Sequence, residues 1–258
     1  MPATPADFPP RFFESADGQR LAFREIGEGR PVILIHGFFS NAWTNWLRWG
    51  HAQKVAARGF RVIMPDLRAH GDSAAPHDPA AYPSDILAED GQALIDHLGL
   101  TDFDLGGYSL GARTAVRMHA KGVRPGKLVV AGMGLSGLTD LAGRADHFRH
   151  VLTHLGRHPR NSNEYMAEAF LKTTGGDAQA LLLILETFTN TAEAEIRAID
   201  APTLILAGEE DDDNGSHEDL AALIPDATRR TVPGGHMSCI VKPEFGEAIA
   251  EFLGSEGD

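Results

Sequence analysis

The sequence predicts an α/β protein, with a mostly parallel central sheet covered by helices on both faces. Three observations lead there. Short apolar runs rich in β-branched residues recur at Pro31-Val32-Ile33-Leu34-Ile35, Arg61-Val62-Ile63-Met64 and Pro202-Thr203-Leu204-Ile205-Leu206-Ala207, as strands buried on both faces require. These runs alternate with stretches that read as helices, the pattern of a parallel sheet built from crossover units. The chain of 258 residues is long enough for one large domain of this kind with a sizeable core.

Taken in order, the first ten residues carry four prolines and read as a lead-in. Arg11 to Glu14 and Arg20 to Glu25 read as strands joined by a turn at Asp17-Gly18, a hairpin signal. The Pro31–Ile35 strand ends at His36-Gly37-Phe38. Ala42 to Arg58 is expected to be one helix stopped by Gly59, and Arg61–Met64 the next strand. The loop Pro65-Asp66-Leu67-Arg68-Ala69-His70-Gly71-Asp72-Ser73 follows. Ser84 to Leu98 reads as a helix with Gly99 as its stop. Next come the short strand Phe103–Gly106, a helix to about Ala120 and the strand Lys127–Ala131. From about Leu135 to Ile199 no strand is legible, and residues 135–199 are expected to form a helical lid inserted after the sixth strand of a single domain spanning 1–258. The alternation then resumes with the Pro202–Ala207 strand, a helix near His217 to Leu223, a strand at Thr228 to Val232 and a closing helix from Pro243 to Leu253.

Composition narrows the partners. A net charge of −13 with no stripe of Lys and Arg argues against nucleic acid. No apolar run is long enough to span a bilayer, and Met1-Pro2-Ala3-Thr4-Pro5 lacks the basic start and apolar core of a signal peptide. The single cysteine, Cys239, excludes an internal disulfide framework and fits a reducing compartment. The expectation is a cytoplasmic protein that meets a small molecule, with no nucleic-acid or membrane partner.

The stretch around which the chain is organised is Gly107-Tyr108-Ser109-Leu110-Gly111, between a strand and a helix. A G-x-S-x-G in that setting is a nucleophile elbow. Its glycines relieve collisions within a strained turn, and the helix that follows points its positive N-terminus at the serine, which favours a developing oxyanion.

Four features agree in order and spacing: His36-Gly37, Asp66-Leu67-Arg68-Ala69-His70-Gly71-Asp72-Ser73, the elbow, and Gly208-Glu209-Glu210-Asp211 with Gly235-His236. Together they resemble the α/β-hydrolase superfamily over about the whole chain. Ala69 stands where that family usually has glycine. The resemblance implies an α/β-hydrolase fold and a Ser-Asp-His triad: Ser109 as nucleophile, His236 as its base, Asp211 as the carboxylate that orients the histidine. It implies an oxyanion hole from the backbone amides of Phe38 and Leu110, with His36 and His70 holding their loops and Asp66 bracing the Arg68–Ser73 loop. The older alternative site for the acid, after the Leu128–Ala131 strand, reads Gly132-Met133-Gly134-Leu135-Ser136 and holds no carboxylate. Dehalogenases and epoxide hydrolases on this fold use Asp as nucleophile, so Ser109 points away from them and toward acyl transfer to water, with no metal or organic cofactor. The expected activity is carboxylic ester hydrolysis of a small or medium substrate. Hydrolysis of a carbon–carbon bond in a vinylogous diketone, lactonase, thioesterase or perhydrolase activity, and slow-turnover ligand binding stand as alternatives. Phe39, Trp43 and Trp46 are candidates to line the substrate site, with plain core packing as the other reading.

Two further clusters invite a metal. His147, His150, His154 and His158 fall where they would stripe one face of a lid helix, but no carboxylate or cysteine accompanies them at matching spacing. Glu209-Glu210-Asp211-Asp212-Asp213 lacks the alternating pattern of a calcium loop. A solvated face and a solvated loop with one catalytic carboxylate are the readings preferred.

Overall fold

The computed structural model describes residues 3–255. Eight strands form one sheet in the order β1-β2-β4-β3-β5-β6-β7-β8. They are β1 (Arg11–Glu14), β2 (Arg20–Ile26), β3 (Arg30–Ile35), β4 (Phe60–Pro65), β5 (Asp104–Tyr108), β6 (Leu128–Ala131), β7 (Thr203–Gly208) and β8 (Ala227–Val232). The β1–β2 hairpin and the β2–β4 pair are antiparallel, and every later pairing is parallel. The apolar runs within β3, β6 and β7 are buried because helices cover both sides, whereas β8, at the edge, exposes most of its residues.

The helices of the sheet's two faces are α1 (His51–Ala56), α2 (Ile86–Leu98), α3 (Leu110–Ala120), α9 (His217–Leu223) and α11 (Pro243–Gly254), the last preceded by the single turn α10 (His236–Cys239). One core cluster joins the sheet to residues of α2 and α3, and the other joins it to α1 and α11. Between β6 and β7 stand five helices, α4 (Ser136–Thr139), α5 (Ala142–Thr153), α6 (Asn163–Thr174), α7 (Ala178–Leu185) and α8 (Glu193–Arg197).

The strand order decides where a site can form. β3 pairs with β4 on one side and β5 on the other, with Ile35 opposite Gly107. The connections leave β3 and β5 in opposite directions, so a crevice opens between their carboxyl ends, where ligands of open α/β sheets bind. His36-Gly37 and Ser109 emerge at that crevice.

Three sequence expectations need correction. The helix expected over Ala42 to Arg58 is broken. Trp43–Leu47 forms one wide turn, in which the Arg48 N–H donates to the Trp43 carbonyl at 2.8 Å, and Gly50 at φ +78° separates it from α1. The next helix starts at Ile86 rather than Ser84, because Asp85 adopts φ +61° and its carboxylate takes a two-pronged contact from Arg117. The histidine stripe does not stay on one helix: α5 ends at Thr153, leaving His154 as its cap and His158 beyond it. The His150 and His154 rings stack with centroids 4.4 Å apart, and His158 Nε2 lies 3.1 Å from the Val151 carbonyl oxygen, while His147 lies toward Glu164.

Candidate active site

Ser109 sits at φ +53°, ψ −113° between β5 and α3, a backbone region that non-glycine residues avoid. The surroundings force it. The Ser109 N–H donates to the Ala131 carbonyl of the neighbouring strand at 2.8 Å. A Cβ on Gly107 would overlap the Gly111 carbonyl carbon, so this glycine relieves the turn itself. A Cβ on Gly111 would overlap the Ile35 carbonyl oxygen, so this one lets α3 press against the end of β3.

Opposite the serine, the loop after β8 delivers His236, which is 8% exposed. Its Nε2 lies 3.1 Å from Ser109 Oγ, and its Nδ1 lies 2.9 and 3.1 Å from the two Asp211 oxygens. A carboxylate only accepts, so Nδ1 carries the proton and Nε2 presents its lone pair to the serine hydroxyl. The Tyr108 ring stacks on the imidazole with centroids 5.1 Å apart, and its hydroxyl donates to the His236 carbonyl. The sequence does not mark Tyr108 as a site residue, since the middle positions of the elbow motif carry no signal of their own.

Asp211 is 2% exposed. Its N–H donates to the Gly208 carbonyl at the end of β7. Asn214 anchors the same loop across the sheet by donating to the Gly132 carbonyl at 2.8 Å. Burial works to raise the Asp211 carboxyl, but hydrogen bonding to His236 and the positive charge available on His236 and His217 outweigh it and hold the group below its usual value. Asp212 and Asp213 are exposed, and Asp213 turns away to Arg144 at 3.0 Å.

The loop after β3 approaches Ser109 closely: a Cβ on Gly37 would lie 3.3 Å from Tyr108 Cδ1 and 3.5 Å from Ser109 Cβ. His36 is fully buried. Its Nε2 accepts from the Leu67 N–H at 2.9 Å, so Nδ1 must carry the proton, and it donates to the Gly37 carbonyl at 2.8 Å. Burial pushes His36 down to about 4 and His70 down to about 3, so both stay neutral at physiological pH. Among the described residues the Phe38 amide donates to no backbone carbonyl. The Leu110 amide opens α3, where first-turn N–H groups have no helical partner. Asp66 braces the following loop by accepting from the amides of Ala42 and Asp72 at 2.7 and 3.0 Å and from Arg24 at 3.0 Å.

The candidate lining residues divide. Phe39 is buried and stacks on Phe38, and both meet Phe148 of α5 edge-on. Trp46 has no exposed surface and packs on Phe245 of α11. Trp43 packs against Phe8 in the same core cluster. Trp46 is therefore a core residue rather than a substrate contact, because the wide turn directs it to the face covered by α11, and the half-buried Trp43 packs at the edge of the same cluster. Among the described residues no cluster of three His, Cys, Asp or Glu side chains could hold a metal ion, and no helix is long and apolar enough to cross a membrane.

A serine–histidine–carboxylate chain, with its histidine and carboxylate buried and its serine half-buried, at the switch point of a parallel α/β sheet defines the class of site. Residues 32–251 match the model of the alpha/beta hydrolase family, and the chain belongs to that family. It is 29% identical to a non-heme haloperoxidase of Rhodococcus erythropolis over 90% of this chain and 95% of that protein. A shorter match, 34% identical, covers 39% of this chain and 31% of epoxide hydrolase 2 of Siraitia grosvenorii. Among solved structures, a hydrolase from Pseudomonas aeruginosa PA01 superposes with a TM-score of 0.77 at 25% identity, covering 95% of this chain and 98% of that one.

Proposed function

We propose that this hydrolase cleaves a carboxylic ester of a small or medium, partly apolar substrate through an acyl-enzyme. The observation that carries the reading is the hydrogen-bond chain from Ser109 through His236 to Asp211. His236 Nε2 takes the Ser109 proton as Oγ adds to the ester carbonyl, and the Asp211 carboxylate stabilises the imidazolium that forms. The amides of Phe38 and Leu110 donate to the oxyanion. His236 then gives its proton to the departing alkoxide, the C–O bond breaks, and the alcohol leaves the acyl group on Ser109. A water, deprotonated by His236, repeats the sequence and releases the carboxylic acid. Side chains, backbone amides and water supply every step, so the scheme calls for no cofactor.

The helices between β6 and β7 serve as the lid in this reading. Phe148 of α5 and Phe188, just after α7, reach the Phe38 ring, an aromatic surface suited to an apolar acyl or alcohol group.

The full-length similarity to a haloperoxidase favours one second reading, perhydrolysis. Hydrogen peroxide would replace water at the acyl-enzyme, giving a peroxycarboxylic acid and free Ser109. The partial likeness to an epoxide hydrolase supports less, since residue 109 is serine where that chemistry uses aspartate.

The test is turnover of p-nitrophenyl esters of graded acyl length by the wild-type protein and Ser109→Ala, with a fluorophosphonate as active-site label. The expected result is ester turnover and labelling in the wild type and neither in the variant, a loss on the order of 10⁶ in kcat. Ester hydrolysis that survives in Ser109→Ala overturns the proposal. Adding hydrogen peroxide and assaying for peracid decides between water and peroxide as the second acceptor.

A further inference from the structure

We infer that Asn45 is a positioning residue for the oxyanion hole, holding the loop whose Phe38 amide receives the developing charge. The inference rests on the proposed acyl-transfer chemistry. Its observation is separate: the two peptide groups flanking Gly37 are held by different partners.

The peptide that follows Gly37 is held at its carbonyl, which accepts from His36 Nδ1–H at 2.8 Å and from the Ser40 N–H at 3.1 Å. A trans peptide is planar, with C=O and N–H pointing in opposite directions. Fixing the Gly37 carbonyl toward His36 and Ser40 therefore turns the Phe38 N–H the other way. The peptide that precedes Gly37 is held by Asn45, whose Oδ1 accepts from the Gly37 N–H at 3.0 Å. Glycine has the widest conformational freedom of any residue, and Gly37 lies hard against Tyr108 and Ser109. One clamped peptide leaves it free to turn about its other backbone bond. Two clamped peptides define both of its dihedrals, and with them the direction of the Phe38 N–H.

Two features of Asn45 point to position rather than to cohesion. It is 3% exposed, and its Nδ2 has no hydrogen-bond partner among the described residues. A buried donor left idle is a cost to folding, so the acceptor end is what the site uses. Asn45 also lies within the wide turn Trp43–Leu47 that interrupts the expected helix. Such widened turns mark functional sites in many helices, and this one brings an amide side chain to the Gly37 amide.

The test compares Asn45→Leu, which removes the acceptor at similar volume, with Asn45→Asp, which keeps it, using p-nitrophenyl acetate and the rate of Ser109 labelling by a fluorophosphonate. Loss of one direct oxyanion donor slows hydrolases about 10²- to 10³-fold. Loosening the loop that carries the donor is expected to lower kcat and the labelling rate roughly 10- to 100-fold in Asn45→Leu. KM should stay within about threefold, because the donor acts on the transition state more than on the ground state. Asn45→Asp should restore most of the rate. If Asn45→Leu does not fold, Asn45→Ala replaces it as the acceptor-free variant. Wild-type kcat without the acceptor overturns the inference, as does an Asn45→Asp enzyme as slow as Asn45→Leu. An inactive Ser109→Ala beside a fully active Asn45→Leu overturns this inference alone, whereas turnover in Ser109→Ala overturns the hydrolytic reading and this inference with it.

Discussion

His236 donates its Nδ1 proton to both oxygens of Asp211, at 2.9 and 3.1 Å, while the two aspartates that follow Asp211 face solvent. The consequence is a sharp division within three adjacent carboxylates. Asp211→Asn should lower kcat by about 10⁴, the loss expected when the wrong imidazole tautomer is favoured. Asp212→Asn and Asp213→Asn should each change kcat less than about tenfold, since removing an exposed charge from an acidic loop has little effect. Steady-state kinetics on the three variants side by side checks this. A crippled Asp213→Asn with an active Asp211→Asn would reverse the assignment.

Trp46→Ala should act on stability and leave the substrate alone. The side chain has no exposed surface and packs on Phe245, and truncating a buried tryptophan typically costs about 3–5 kcal/mol. Urea melts should show that loss, while KM of the folded variant stays near wild type for every acyl length. A KM that rises selectively for long acyl groups would return Trp46 to the substrate site.

Arg68→Met should be among the most damaging surface-distant changes. The guanidinium is fully buried and donates to both oxygens of Asp90 at 2.8 and 3.0 Å, to Asp17 at 2.6 and 2.9 Å and to the Ala81 carbonyl. Without it Asp90, itself 4% exposed, becomes a buried charge with no partner, a change that costs about 3–5 kcal/mol. Thermal melts of Arg68→Met and of the double variant Arg68→Met/Asp90→Leu separate the causes. The double variant should recover part of the loss, because it removes the stranded carboxylate.

Acid should weaken the fold through His36. Its folded value of about 4 lies below that of an exposed imidazole, about 6.5. Between those values the unfolded chain binds a proton that the folded chain does not, so stability is complete above about pH 6.5 and falls as the pH drops toward 4. From pH 6.5 to pH 5 the contribution is about 2 kcal/mol, at about 1.4 kcal/mol per pH unit. Urea melts at pH 7 and pH 5 should therefore show wild type losing more stability than His36→Gln, by about that amount. Equal losses would mean that His36 takes up its proton in the folded state.

The sequence alone carried the parts of this protein that depend on local pattern. Apolar β-branched runs marked the buried strands. Gly107 and Gly111 bracketed Ser109 because only glycine tolerates the contacts of that turn. The resemblance of Gly208-Glu209-Glu210-Asp211 to the α/β-hydrolase pattern singled out the one carboxylate of three that meets His236. These features are legible because burial on two faces and strained backbone turns restrict residue type at the position itself. What no local pattern contained was decided by packing between distant segments. The turn at Trp43–Leu47 broke a stretch that reads as one helix, because Trp46 is packed on Phe245, 199 residues later in the numbering, and Asn45 meets Gly37 across the same loop. The role of Tyr108 beneath His236 and the idle donor of Asn45 belong to the same group. Both arise only when strands far apart in the chain bring their carboxyl ends to one crevice, and contacts made that way restrict pairs of residues rather than single positions.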